Sequence, residues 1–185
     1  MYLSLMRAAP RTAPPLAVIA WKPHADTPEA HPAGQVVAPD DADADAFFAT
    51  LTDAKQTGPH VLMSHACPPV SGPVMLRLDE VCFPVGAVAA RHTHAGAGIR
   101  YLVRGALKIE AEDHTQVMTP GACWFEPENA PVRATALHGQ GVTSFLRAMI
   151  IPAAYAGKST FQLVDPADAA LPRLQQTHRH MDLPL

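Results

Sequence analysis

Between Val74 and Ile151 the chain is a series of short apolar runs broken by glycine, proline and acidic residues: Val74 to Phe83, Ile99 to Val103, Leu107 to Ala111, Gln116 to Met118, Ala122 to Phe125, Val132 to Leu137 and Val142 to Ile151. Runs this short, at regular spacing, read as strands that close on one another in a sandwich or barrel. The 19 prolines point the same way. Each fixes φ and removes a backbone donor, which favours turns and short strands over long helices. Arg104-Gly105 and Glu112-Asp113-His114 mark hairpin turns between runs.

At 185 residues the chain is expected to form one domain with appendages, large enough to need no disulfide or metal staple. A formal charge of −3 with 48% apolar residues excludes the basic patch of a nucleic-acid binder and any strong electrostatic steering to a membrane. Cys67, Cys82 and Cys123 are odd in number and lack Cys-x2-Cys spacing, so they read as buried free thiols. No window approaches 18 uninterrupted apolar residues, and Met1 to Ala20 is broken by Arg7, Pro10, Arg11, Pro14 and Pro15. The expected address is cytoplasmic.

Residues 1–60 read as an N-terminal arm and one helix, 61–151 as the barrel, and 152–185 as a C-terminal extension packing on the barrel or on a partner subunit. In the arm, Leu16 to Trp21 suggests an edge strand. Asp40, Asp41, Asp43 and Asp45 precede Phe47, Phe48, Leu51 and Ala54, and acids before an apolar set at helical spacing predict a helix over about 41–56. Val61-Leu62-Met63 opens the strand-rich part. In the extension, Ser159 to Val164 reads as a strand, Asp165 to Asp168 as a turn and Leu174 to Met181 as a last extended piece. His178-Arg179-His180 reads as a solvated terminal segment.

The chemistry-bearing feature is His92 and His94, two residues apart just before Ile99 to Val103. In an extended backbone both imidazoles leave one face of one strand, a pair of candidate metal ligands that needs at least one more donor from elsewhere. The stretch Gly86 to Gly105 resembles the first motif of the cupin family, Gly-x5-His-x-His-x3-Glu-x6-Gly, with Gly86, His92, His94 and Gly105 in place and Gly98 where the family carries a glutamate. The run Thr119 to Val132 echoes the second motif, with Val132 in place of the family's third histidine and Ala136 in place of its asparagine. The resemblance covers residues 74–151 and implies an all-β fold, a double-stranded β-helix (cupin or jelly-roll barrel), with the histidines inside and the chain a homodimer.

If His92 and His94 point inward and the alternation resumes across the Ala95 to Gly98 turn, as the cupin resemblance implies, position 98, Arg100 and Leu102 face inside, with Ile99, Tyr101 and Val103 against a second sheet or a partner. The pocket then exchanges the family's carboxylate for a cation. Arg100 is either a fork for an anionic ligand or the partner of an internal acid, for which Glu126 is the candidate. Trp124 and Glu126 share one strand face. If that face is internal, Glu126 could complete a two-histidine, one-carboxylate set for iron, zinc, nickel or manganese. His114 and His138 are further nitrogen donors, both expected to be exposed. Three functions follow: binding of a small anionic or polar molecule by His92, His94 and Arg100, with Trp124 and Glu126 as further ligand contacts; a metal-dependent oxygenase or a histidine-base isomerase; and a structural barrel. The sequence favours the first and names no catalytic residue.

Overall fold

The computed structural model describes residues 1–9, 14–23, 34–42, 44–137 and 141–185. The described chain is all-β and folds as two units packed face to face. β1 (Tyr2–Met6), β2 (Ala17–Pro23), β3 (Gly34–Val37), β4 (Phe47–Thr52) and β5 (Val61–Ala66) form an antiparallel sheet in the order β3-β2-β4-β1-β5. The remaining strands are β6 (Val74–Phe83), β7 (Val88–His94), β8 (Ala97–Arg104), β9 (Leu107–Glu110), β10 (Thr115–Met118), β11 (Cys123–Glu126), β12 (Val132–Ala136), β13 (Thr143–Pro152), β14 (Phe161–Leu163) and β15 (Gln176–Pro184). They make the two walls of a jelly-roll barrel, β10-β9-β12-β7-β14 and β11-β8-β13-β6-β15.

The expected helix over 41–56 is replaced by a 3₁₀ turn at Pro39–Asp41 and the strand β4. Asp43, one of the acids behind that expectation, lies outside the described residues. The reason is tertiary. β4 runs between β1 and β2, and all six of its residues are buried. Phe47, Ala49 and Leu51 pack toward the barrel, while Phe48 joins Met6, Ala20 and Ala46 on the other side. A strand buried on both faces loses the polar half of its alternation, and its apolar spacing then coincides with a helical one.

The boundary expected at residue 61 moves: β5 pairs with β1, so the N-terminal sheet extends to residue 66. This sheet covers the outer face of the β8-β13-β6 wall, where Leu76, Leu78, Ile99, Leu146, Ala148 and Ile150 meet Leu3, Leu5, Trp21 and Leu51. Tyr101 and Val103 pack there too, against the chain's own sheet. Gly34 admits the Trp21 ring, since a Cβ at residue 34 would lie 1.8 Å from it. A second apolar cluster, including Val81, Phe83, Leu102, Leu107, Trp124 and Phe145, fills the barrel itself.

The C-terminal extension is tied to the barrel by two strands, β14 on β7 and β15 on β6. The turn between them is a 3₁₀ segment, Pro166–Ala170, capped by Asp165 accepting from the Ala167 N–H at 2.9 Å. His180, expected in a solvated tail, has a side chain only 2% exposed and lies 3.6 Å from the buried Glu80 carboxylate. Pairing of β15 with β6 is what buries it. No helix among the described residues is long and apolar enough to cross a membrane.

Candidate functional site

β7 ends at His94 and carries His92 on the same face, so both rings enter the barrel, with centroids 4.9 Å apart and exposures of 6% and 7%. His92 Nδ1 donates to the Ala90 carbonyl at 2.7 Å, and the ring stacks on Phe161 at 4.2 Å. Burial pushes the His92 imidazole down to about 4, with Arg147 and Arg100 adding to the effect. His94 lies well below the ordinary range for the same reasons, burial first. Both rings are therefore neutral at pH 7.

The register places Arg100 of β8 opposite Trp124 of β11 and Arg147 of β13. The shared face of Trp124 and Glu126 is the internal one. Arg100 Nη2 approaches Glu126 Oε2 at 2.6 Å, outside hydrogen-bond alignment and so as an ion pair. Its Nη1 donates to the Gly98 carbonyl at 2.5 Å. Burial lowers the Arg100 guanidinium to about 10, which leaves it charged at pH 7. The other oxygen of Glu126 accepts from Trp124 Nε1 at 2.8 Å. Of the two roles open to Arg100, the geometry shows the internal ion pair.

A second buried pair was not anticipated. Arg147 Nε and Nη2 each donate to Asp79 at 2.8 Å, with exposures of 6% for Arg147 and 1% for Asp79. Burial pulls the Arg147 guanidinium down, and the Asp79 carboxylate more than offsets this, so its pKa stands above that of free arginine. Arg147 Nη1 faces His94 Nε2 at 3.2 Å, and His94 Nδ1 faces Thr160 Oγ1 at 3.2 Å. A guanidinium only donates, so His94 Nε2 accepts and its Nδ1 carries the ring proton. The signal was present in the sequence: Arg147 is a lone charge inside the apolar run Val142 to Ile151, and Asp79 sits with Arg77 and Glu80 inside Val74 to Phe83.

This donor set does not fit a divalent transition metal. Both nitrogens of His94 and both oxygens of Glu126 are engaged, positions 98 and 132 offer no donor side chain, and two guanidiniums face the histidines. No group of three or more His, Cys, Asp or Glu among the described residues is placed to hold a metal. His114 lies in its expected exposed turn, donating to Asp113 at 2.6 Å, and His138 lies outside the described residues.

Beside the Glu126 pair the barrel opens into a cavity of about 680 Å³, bordered by Met63, His65, Met118, Trp124, Glu126 and Val132. Its rim adds Glu112, Asp113 and His114. Asp113 is held below the usual carboxylate range by its hydrogen bond from His114. His65 was not singled out by sequence. It lies over Phe125 with ring centroids 3.6 Å apart, and its Nδ1 meets the Ala66 carbonyl at 2.8 Å. No spacing in the sequence signals it, because β5 reaches the cavity only through the packing of the N-terminal sheet on the barrel.

The family model for the cupin domain matches residues 79–146, the segment that carries both histidines, the Arg100–Glu126 pair and Asp79, and that ends one residue before Arg147. Residues 79–146 of the barrel thus carry a cupin domain. Among solved structures, similar ones include the DMSP lyase DddQ from Ruegeria pomeroyi, at 22% identity and TM-score 0.43, covering 50% of this chain and 44% of that one. An RmlC-like cupin from Shewanella frigidimarina is 19% identical at TM-score 0.38, covering 43% and 68%. The polyketide cyclase RemF from Streptomyces resistomycificus is 18% identical at TM-score 0.37, covering 51% and 66%. The chain thus spans less than half of the lyase's length, and likeness at this level assigns no substrate or reaction. Comparison with curated proteins found no match.

Proposed function

We propose that the protein binds a small polar molecule in the barrel mouth, with Trp124 and Glu126 at the inner end of the site and Arg100 as the counter-ion beneath. The observation that carries this reading is the 680 Å³ cavity ending on the Trp124–Glu126–Arg100 arrangement. Its size is that of an ordinary ligand site, and its apolar wall with few fixed polar groups is the usual composition of one. The anionic ligand expected from Arg100 gives way to a neutral or cationic one, since Arg100 is committed to Glu126 and the rim adds Glu112 and Asp113. The Ile99, Tyr101 and Val103 face is covered by the N-terminal sheet, so a pairing of two copies uses another surface.

A second reading, proton transfer within the same cavity, rests on His65. With Nδ1 donating to Ala66, the lone pair stays on Nε2, as a general base requires.

The test is a thermal-shift screen of neutral, cationic and anionic small molecules, followed by calorimetry of the best ligand on wild type and on Ala130→Trp, which fills the rim without touching the ion pairs. Binding should be lost in that variant at unchanged melting temperature. Equal affinity in both proteins would place the ligand elsewhere, and a best ligand that is anionic would overturn the charge assignment. If the ligand is turned over, His65→Gln should abolish turnover while preserving binding.

A further inference from the structure

The 680 Å³ cavity is not the only candidate site among the described residues. A separate cavity of about 130 Å³, sharing no lining residue with the first, lies where β6, β13 and β15 meet the segment before β14. Three guanidiniums border it, those of Arg77, Arg147 and Arg179, against the single carboxylate of Asp79, whose two oxygens Arg147 already holds. Asp182 clamps Arg77 at 2.6 and 2.9 Å and lies 3.7 Å from Arg179, whose Nη2 donates to the Lys158 carbonyl at 3.1 Å, so three cations share two carboxylates.

The hydrogen-bond chain leading to this cavity has a fixed direction. Arg147 donates to His94 Nε2, so His94 Nδ1–H donates to Thr160 Oγ1. Thr160 is 2% exposed and lines the cavity, and its own hydroxyl hydrogen finds no acceptor among the described residues. Ser159, beside it and exposed, accepts from the Phe161 N–H at 3.2 Å, so its hydrogen is also left to give. The site thus presents hydroxyl donors and an excess of guanidinium charge, and leaves no carboxylate oxygen of Asp79 without a partner. One water needs only about 10–15 Å³ on this measure, so the space admits a larger group.

We propose that this cavity is an oxyanion site, taking a phosphate, sulfate or carboxylate group through the Thr160 and Ser159 hydroxyls and the Arg147 and Arg179 guanidiniums. Charge-assisted bonds from fixed donors are the recognition this lining supplies. The experiment is calorimetric titration of wild type, Thr160→Val and Arg179→Gln with inorganic phosphate, sulfate and acetate at constant ionic strength. One anion should bind per chain and raise the melting temperature, and each substitution should weaken it about tenfold or more, as loss of a hydrogen bond to a charged group does. Preference for acetate would assign the site to carboxylate-bearing molecules, and preference for phosphate or sulfate to tetrahedral anions. Absence of binding by all three, or binding indifferent to both substitutions, overturns the proposal. Arg179 is partly exposed, so its variant carries the test should Thr160→Val fail to fold. Ala130→Trp, at the other cavity, should leave anion binding unchanged, which separates this test from that of the barrel mouth.

Discussion

His92 and His94 are kept neutral in a barrel that already holds two guanidiniums, and this makes them sensors of acid. The unfolded imidazole titrates near 6.5, whereas folded His92 titrates near 4. Between these values the unfolded chain binds a proton that the folded chain does not, so stability is full above pH 6.5 and falls as pH drops toward 4. For His92 the loss over that window is about 3 kcal/mol, and His94 acts in the same direction. Urea denaturation across pH 4.5–7.5 should show this slope, and His92→Gln should reduce it by about one proton. Equal slopes in the two proteins would mean that His92 is protonated as readily when folded. The Arg147–Asp79 pair is a different kind of contribution: replacing both partners by apolar groups can cost little, while removing one strands a buried charge.

At the scale of strands, the close approach of β8 to β13 explains the departure from the family motif at residue 98. A Cβ on Gly98 would lie 2.5 Å from the Ala148 carbonyl oxygen, 2.7 Å from Met149 Cγ and 3.0 Å from Arg100 Nη1. Arg100 occupies the ground that the family's glutamate would need. Gly98→Ala should cost about 1–3 kcal/mol through overpacking. Gly98→Glu should lose at least as much, and elemental analysis after reconstitution with iron, zinc, nickel and manganese should find no stoichiometric metal. A stable, metal-loaded Gly98→Glu protein would show that the Arg100–Glu126 pair yields to a metal, contrary to the geometry. Strand positions were readable from local alternation along the barrel, whereas β4, buried on both faces, was not.

At the scale of the molecule, the N-terminal sheet is part of the barrel's stability. Removing residues 1–67 would uncover Leu76, Leu78, Ile99, Leu146, Ala148 and Ile150, all at most 1% exposed. Burial of large apolar side chains is worth roughly 1.5–3 kcal/mol each, so the total is of the order of a whole domain's stability, about 5–15 kcal/mol. The truncated chain should aggregate, seen as loss of a monodisperse peak in size-exclusion light scattering. A soluble truncated chain with a cooperative unfolding transition would show that the barrel stands alone. The same sheet brings Met63 and His65 to the barrel mouth.

What the amino-acid sequence determined by itself was local: strand periodicity, the turn glycines, the cupin motif and the inward face shared by His92, His94 and Arg100. The strands and the shared face follow from the two-residue repeat of extended chain, and the inward sense of that face from the cupin resemblance, neither of which needs knowledge of distant partners. Tertiary structure decided the rest. Arg100 meets Glu126 across 26 positions, Arg147 meets Asp79 across 68 and His94 meets Thr160 across 66. Such pairings depend on which strands become neighbours, and only the closed barrel shows that Arg100 pairs with Glu126, Arg147 with Asp79, and that both nitrogens of His94 are engaged.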